Sequence, residues 1–285
     1  METVLISGGT GLVGSHLSKM LRAKGYEVAV LSRSDPESVQ AVETADYIIH
    51  LAGANIGARR WTARRKQQIL DSRVKTAELI LEHVAASKKP KLKAFISASA
   101  TGYYGAVTTN KIFTEDDPAA PDFLGETCRL WEAAADRFPS LGARTVKIRT
   151  GVVLTDRGGA LDKMSLPVKM GVGSAIGSGR QYLPWIHIDD LCGIYIKSVE
   201  DAGMEGAYNA VAPDHQTNHE FTQTLARVLK RPFWFPPVPA FVMKLLFGQM
   251  SDILLEGSRV SSDKIRSEGY QFLFPGLEEA LKDLL

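Results

Sequence analysis

Gly8, Gly11 and Gly14 stand three residues apart, directly after the apolar run Val4-Leu5-Ile6 and directly before an amphipathic segment. Their chemistry is that of the backbone. Gly8 permits a tight turn, Gly11 lets main-chain amides approach an anion, and Gly14 allows helix and strand to touch, while the helix start offers unpaired N–H groups. A strand before and a helix after supply the context such glycines need, so Gly8, Thr10, Gly11, Leu12 and Gly14 are read as a cradle for a dinucleotide diphosphate. The next strand ends in Ser32-Arg33-Ser34. An acidic group there would select NAD, whereas Arg33 pairs with a 2′-phosphate and points to NADP. Arg59, Arg60, Arg64, Arg65 and Lys66 crowd the start of a long predicted helix. Cations oppose the macrodipole there, so a cofactor phosphate near Arg60 would relieve a cost; a solvated basic patch is the competing reading.

Groups able to move a proton are fewer. Tyr103 and Tyr104 follow an apolar strand, and His187 sits between Trp185 and Asp189-Asp190, where an imidazole can titrate near neutral pH. Each also reads as ordinary packing. Arg180-Gln181, in a glycine-rich loop, can face an anionic or sugar substrate or simply solvent, and Asn209 can fix a substrate loop. His215 and His219 are four apart without a third ligand, so no metal site is expected. Cys128 and Cys192 lack metal spacing and cannot frame a disulfide scaffold, which suits free buried thiols in a reducing, cytoplasmic compartment.

The elements that must hold these groups alternate. Apolar residues at helical spacing run from Leu12 to Lys24 and stop at Gly25; Val28 to Leu31, Tyr47 to Leu51, Ala94 to Ser99 and Thr145 to Ile148 read as buried strands, the last running into Val152-Val153-Leu154. Helices are expected from about Thr62 to Ala86 and from about Gly125 to Arg137. The class is α/β, a doubly wound parallel sheet. Ligands of such sheets bind beyond the carboxyl ends of strands, which adds Leu51, Ala52 and Gly53 to the cofactor contacts. After about residue 155 the pattern loosens into glycine loops, giving a dinucleotide-binding domain over 1–205 and a smaller C-terminal substrate or cap domain over 206–285. A formal net charge of +2 with interspersed signs gives no reason to expect nucleic acid or an acidic membrane as partner. No segment approaches about twenty uninterrupted apolar residues. The expected partner is a small molecule, and a homodimer is left open.

Taken in order, the glycine motif, Asp46-Tyr47-Ile48-Ile49-His50-Leu51-Ala52-Gly53, Ser97-Ala98-Ser99, Tyr103-Tyr104-Gly105 and His187-Ile188-Asp189-Asp190-Leu191 resemble the extended short-chain dehydrogenase/reductase superfamily over roughly 200 residues. Arg60-Trp61, Pro184-Trp185-Ile186-His187 and Leu255-Glu256-Gly257 look like its atypical epimerase-family group with an extra C-terminal domain, some of whose bacterial members carry a cell-division-inhibitor label. The resemblance implies a Rossmann-type, NAD(P)-dependent epimerase/dehydratase fold and a hydroxyl at Ser99 that hydrogen-bonds a substrate carbonyl. It also exposes a departure. Counting from Ser99, Leu124 stands where the superfamily keeps a general acid/base tyrosine and Cys128 where it keeps a lysine. Neither can do that work. Tyr103, Tyr104 or His187 is then left to relay the proton in an NADP-dependent epimerase or oxidoreductase; the alternative is an NADPH-binding regulatory or scaffold protein with little turnover.

Overall fold

The computed structural model describes residues 1–32, 36–87 and 91–285. In chain order its elements are β1 (Thr3–Ser7), α1 (Leu12–Ala23), β2 (Glu27–Leu31), α2 (Pro36–Thr44), β3 (Tyr47–His50), α3 (Ala63–Ala86), β4 (Ala94–Ala100), β5 (Ile112–Phe113), α4 (Phe123–Ala135), β6 (Arg144–Thr150), β7 (Val152–Leu154) and α5 (Ala160–Lys169). The later half carries β8 (Trp185–His187), α6 (Ile188–Glu200), β9 (Gly206–Ala210), α7 (Asn218–Val228), α8 (Ala240–Phe247), α9 (Asp252–Leu255), β10 (Arg259–Val260), α10 (Asp263–Ser267) and α11 (Leu277–Leu284).

Six parallel strands form the central sheet in the order β2-β1-β3-β4-β6-β9. The chain leaves β1 for β2 on one side and returns to β3 on the other, so the order reverses beside β1. A crevice opens there beyond the carboxyl ends of β1 and β3. The strands are near-continuous apolar runs because both faces are covered. Leu17, Leu21, Ile194 and Val199 of α1 and α6 pack on Val4, Ile6, Ile49 and Ile148, while Val42, Ile80, Val84 and Ala135 of α2, α3 and α4 pack on Leu5, Ile48 and Phe95.

α3 begins one residue after Thr62, whose side chain accepts the Arg65 N–H, and α1 ends beside Gly25 at φ +90°. α4 starts at Phe123, two residues before the expected Gly125, because the Asp122 carboxylate caps it by accepting the Gly125 N–H. The expected division at residue 205 falls just before β9, which completes the central sheet by pairing with β6. Beyond it, α5, α7 and α11 enclose a satellite core around Trp185, Phe221, Leu225 and Leu281. β10 pairs with β5 and brings the C-terminal segment over the carboxyl edge of the sheet. Among the described residues no helix is long and apolar enough to cross a membrane.

Candidate functional site

The glycine turn is built as its spacing requires. Gly8 adopts φ +78°, and a Cβ there would lie 2.9 Å from the Ala52 N. A Cβ on Gly14 would lie 2.3 Å from the Gly8 carbonyl oxygen and 2.6 Å from the Gly9 Cα, so α1 touches the turn through bare backbone. At Gly11 the nearest atom to such a Cβ is the Gly8 oxygen at 3.3 Å, with nothing else within 4 Å. Gly11 caps α1 without a side chain, and its first turn holds no acidic residue. First-turn amides at the mouth of the crevice are thereby offered to an anion, which is the fit a dinucleotide diphosphate needs. Thr10 and Leu12 are exposed at this rim, and Leu12 reaches toward Gly159 in the loop after β7.

Beneath the turn, His50 locks β1 to β3. The Arg73 carbonyl can only accept, so His50 Nε2, 3.0 Å away, carries the proton; Nδ1 then accepts the Ser7 hydroxyl at 2.7 Å. Ser7 Oγ in turn accepts the Ala52 N–H at 3.4 Å. Burial drives the His50 pKa down to about 4, so the ring is neutral at ordinary pH. This chain of bonds fixes Leu51, Ala52 and Gly53 against the crevice. Arg33 lies outside the described residues.

On the other side of the crevice, beyond β4, a buried polar network fills the space beneath the 3₁₀ turn Thr101–Tyr104. Register pairs Ser99 with Arg149 on neighbouring strands. Glu132, from α4, receives Arg149 Nε at 2.8 Å, Arg149 Nη2 at 2.9 Å and the Ser99 hydroxyl at 2.7 Å. Arg149 Nη1 donates to the Tyr104 phenol at 3.0 Å, and that phenol donates to Asn209 Oδ1 at 2.7 Å. Burial alone would depress the Arg149 pKa, but the Glu132 carboxylate and Tyr104 reverse the sign and raise it. Burial raises that of Tyr104. Tyr103 lies over Arg149, with the guanidinium carbon 3.5 Å from its ring centroid, and among the described residues its phenol has no hydrogen-bond partner.

Leu124 and Cys128, which the count from Ser99 sets against the superfamily's tyrosine and lysine, both lie beside the turn after β4. A Cβ on Gly102, in the turn after β4, would lie 3.4 Å from Leu124 Cβ and 3.9 Å from Cys128 Sγ. Burial pushes the Cys128 thiol up to about 12, so it is neutral and offers no charge.

Ser99, Tyr103 and Tyr104 therefore share one cluster, while His187 lies elsewhere. Its ring is buried, its Nδ1 accepts the Asp189 N–H as the cap of α6, Phe274 stacks on it at 3.9 Å, and Nε2 lies 3.2 Å from Asp283. Burial holds its pKa below the ordinary value. Asp190 next to it accepts the Leu273 and Phe274 N–H groups and the Tyr270 hydroxyl, so this motif docks the C-terminal segment. Arg60 is exposed, and its guanidinium donates to the Leu246 carbonyl at 2.8 Å and to that of Leu245 at the end of α8. The favourable dipole it meets is thus a helix C-terminus. Gln181 is buried, donating to the Ile176 and Leu254 carbonyls, while Arg180 is exposed. His215 bonds the Val260 carbonyl and Arg259, and among the described residues no cluster of His, Cys, Asp and Glu can hold a metal.

Residues 4–124 match the NAD dependent epimerase/dehydratase family, and residues 238–284 match a domain of unknown function, DUF1731. The mouse epimerase family protein SDR39U1 is 40% identical over 99% of both chains. The Bacillus subtilis epimerase family protein YfhF is 37% identical over 99% of this chain and 97% of its own. A crystal structure of human SDR39U1 (isoform 2) with NADPH superposes with a TM-score of 0.92 at 37% identity, covering 99% of this chain and 98% of that one. Full-length similarity at this level, on a fold whose glycine turn is built for a nucleotide, leads to one conclusion: the chain belongs to the NAD dependent epimerase/dehydratase family.

Proposed function

We propose that the chain binds NADPH in the crevice between β1 and β3 and uses it on a small carbonyl or sugar-like substrate. The observation that carries this reading is the uncapped start of α1 pressed onto the backbone of Gly8 and Gly9, where Gly14 leaves room for no side chain. Gly8, Thr10, Gly11, Leu12 and Gly14 would hold the diphosphate, and Leu51, Ala52 and Gly53 would border the cofactor. Arg33 is assigned the 2′-phosphate on its sequence position. Arg60, bonded to α8, would reach a phosphate only by releasing that helix.

When bound, the nicotinamide supplies hydride chemistry. The chain must then supply or accept a proton, and Tyr103 is the group best placed to do so. Tyr104 already spends its proton on Asn209, Ser99 spends its own on Glu132, and His187 is held by α6 and α11. Ser99 orients substrate only through its remaining lone pairs. The test is loss of NADPH absorbance across a panel of carbonyl compounds and nucleotide sugars, repeated with Tyr103→Phe and Ser99→Ala. Turnover that Tyr103→Phe abolishes supports the enzyme.

A second reading, an NADPH-binding regulator, is favoured by Leu124 and Cys128 at the usual acid–base position. Tight binding of NADPH with no turnover across the panel supports it. A cytoplasmic location and pairing with a second copy also belong to this proposal; sedimentation velocity of the purified chain tests the pairing.

A further inference from the structure

Arg73 is a partly buried cation without a carboxylate partner among the described residues. Its Nη1 donates to the Ile69 carbonyl at 2.8 Å, to the Ala54 carbonyl at 3.2 Å and to Ser72 Oγ at 3.5 Å, all neutral acceptors, and among the described residues no carboxylate pairs with it. Burial lowers its pKa, the mark of a charge held at a cost. The contrast with Arg149 is direct: that guanidinium is fully buried, and Glu132 grips it with both oxygens.

The position of Arg73 gives the unpaired charge a meaning. From α3 the guanidinium crosses to the loop after β3, where a Cβ on Gly53 would lie 3.0 Å from its central carbon. Its other face rests on the Trp131 ring of α4 at 4.9 Å, and it is the charge that favours ionisation of the Cys128 thiol. The cation is thus delivered, from a different helix, beside the residue that replaces the superfamily's lysine. This is the β4 side of the glycine turn, so a dinucleotide whose diphosphate lies on α1 extends its second nucleoside past Gly53 toward α4.

We propose that Arg73 takes over the fixed positive charge that Cys128 cannot provide and binds the ribose hydroxyls of the nicotinamide half. Nη1 is committed to backbone carbonyls, which leaves the Nε and Nη2 edge of the planar fork for ligand oxygens, a geometry that suits two adjacent hydroxyls. The proposal rests on the reading of the crevice as an NADPH site. A side chain at Gly53 would press on the guanidinium and require it to shift, so the glycine leaves the fork in its present place.

The experiment is calorimetric titration of the full chain with NADPH and with adenosine 2′,5′-bisphosphate, which lacks the nicotinamide half, for the unaltered protein, Arg73→Met and Arg73→Lys. For Arg73→Met, NADPH should bind about tenfold to a hundredfold more weakly, the loss of charge-assisted hydrogen bonds, while the bisphosphate stays within about twofold. Arg73→Lys keeps the charge without the fork and should fall between. Equal weakening of both ligands, or NADPH affinity unchanged in Arg73→Met, overturns the assignment. Should Arg73→Met fail to fold, Arg73→Lys decides alone, by a loss confined to NADPH or its absence. Failure of the unaltered chain to bind either ligand overturns the nucleotide reading and this proposal with it.

Discussion

Replacing Glu132 by glutamine should be among the most damaging near-isosteric changes available to this chain. The carboxylate accepts hydrogen bonds from Arg149 Nε, Arg149 Nη2 and Ser99 Oγ, and the two charged side chains are only 6% and 4% exposed. Glutamine keeps the shape but removes the charge, and its amide nitrogen must turn a donor toward one of those donors. Arg149 then stays buried with no anion in direct contact. Breaking one side of a buried pair in this way costs about 3–5 kcal/mol, against a total stability on the order of 5–15 kcal/mol. With 285 residues, the unfolding entropy is about 0.6 kcal/mol/K, so the melting temperature should drop by about 5–8 °C. Urea unfolding near neutral pH, followed by tryptophan fluorescence, measures the loss. The companion variant Glu132→Leu with Arg149→Met removes both charges and should recover much of it, since apolar replacement of a buried pair is often close to neutral. A loss under about 1 kcal/mol for Glu132→Gln would refute the reasoning, because it would mean that water or the Glu115 carboxylate already carries the Arg149 charge.

Gly14→Ala places a methyl carbon 2.3 Å from the Gly8 oxygen with only backbone around it, so it should cost about 1–3 kcal/mol in stability and weaken NADPH more than a matched change elsewhere in α1, read by melting and titration together. His50 makes stability depend on pH. Its folded-state pKa of about 4 lies below its ordinary 6.5, so as pH falls the unfolded chain takes up this proton first; the contribution is complete above 6.5, is lost between 6.5 and about 4, and reaches about 3 kcal/mol. Unfolding of His50→Gln against pH should show a shallower slope across that window, and an unchanged slope would assign the acid sensitivity to other groups. The Cys128 thiol, pushed up to about 12 and buried, should resist iodoacetamide at pH 8 in the folded chain and react only on unfolding, as mass spectrometry of the labelled peptide would read.

The nucleotide half of the molecule was legible because its signals are local. Glycine spacing, the Gly25 stop, the short apolar runs and the helical apolar spacing between Thr62 and Ala86 are each readable within a few residues, and α1, β1, β3, β4 and the expected span of α3 follow from them. β9 was hidden for the opposite reason: Gly-Ala-Tyr-Asn-Ala has no apolar run, and only its pairing with β6 makes it a strand. α2 was likewise not anticipated, lying between two strands without a strong periodic face. Polar partners are harder still. Ser99, Glu132, Arg149 and Asn209 come from four elements and meet through sheet register, which the chain order does not display. A signal did exist, since a charged residue inside a strand covered on both faces, as Arg149 is, demands a buried counter-charge. Glu132, between Trp131 and a run of alanines on α4, is the matching half.

The motif Ile186-His187-Ile188-Asp189-Asp190 shows how a titratable cluster can serve architecture. Polar atoms that read as chemistry in one dimension serve the fold in three: His187 Nδ1 caps α6 and Asp190 accepts the backbone of Leu273 and Phe274, while the buried His187 Nε2 faces Asp283 at 3.2 Å without a hydrogen bond. Asp214 does the same for the start of α11, accepting the Leu277 N–H, and Arg60 holds the opposite end of the C-terminal segment at α8. The C-terminal unit is therefore tied down by side chain to backbone bonds at separated points, in addition to the pairing of β10 with β5 and the apolar packing of Ile265, Tyr270, Phe272 and α11. Such ties leave the mouth of the crevice to the groups that remain uncommitted. Near the carboxyl ends of the strands such groups include the first-turn amides of α1, the phenol of Tyr103, the Nε and Nη2 edge of Arg73 and the buried amide nitrogen of Asn209. Groups with unspent donors, set beside the Ser99, Glu132 and Arg149 bonds that are already made, are where a bound molecule would find its contacts.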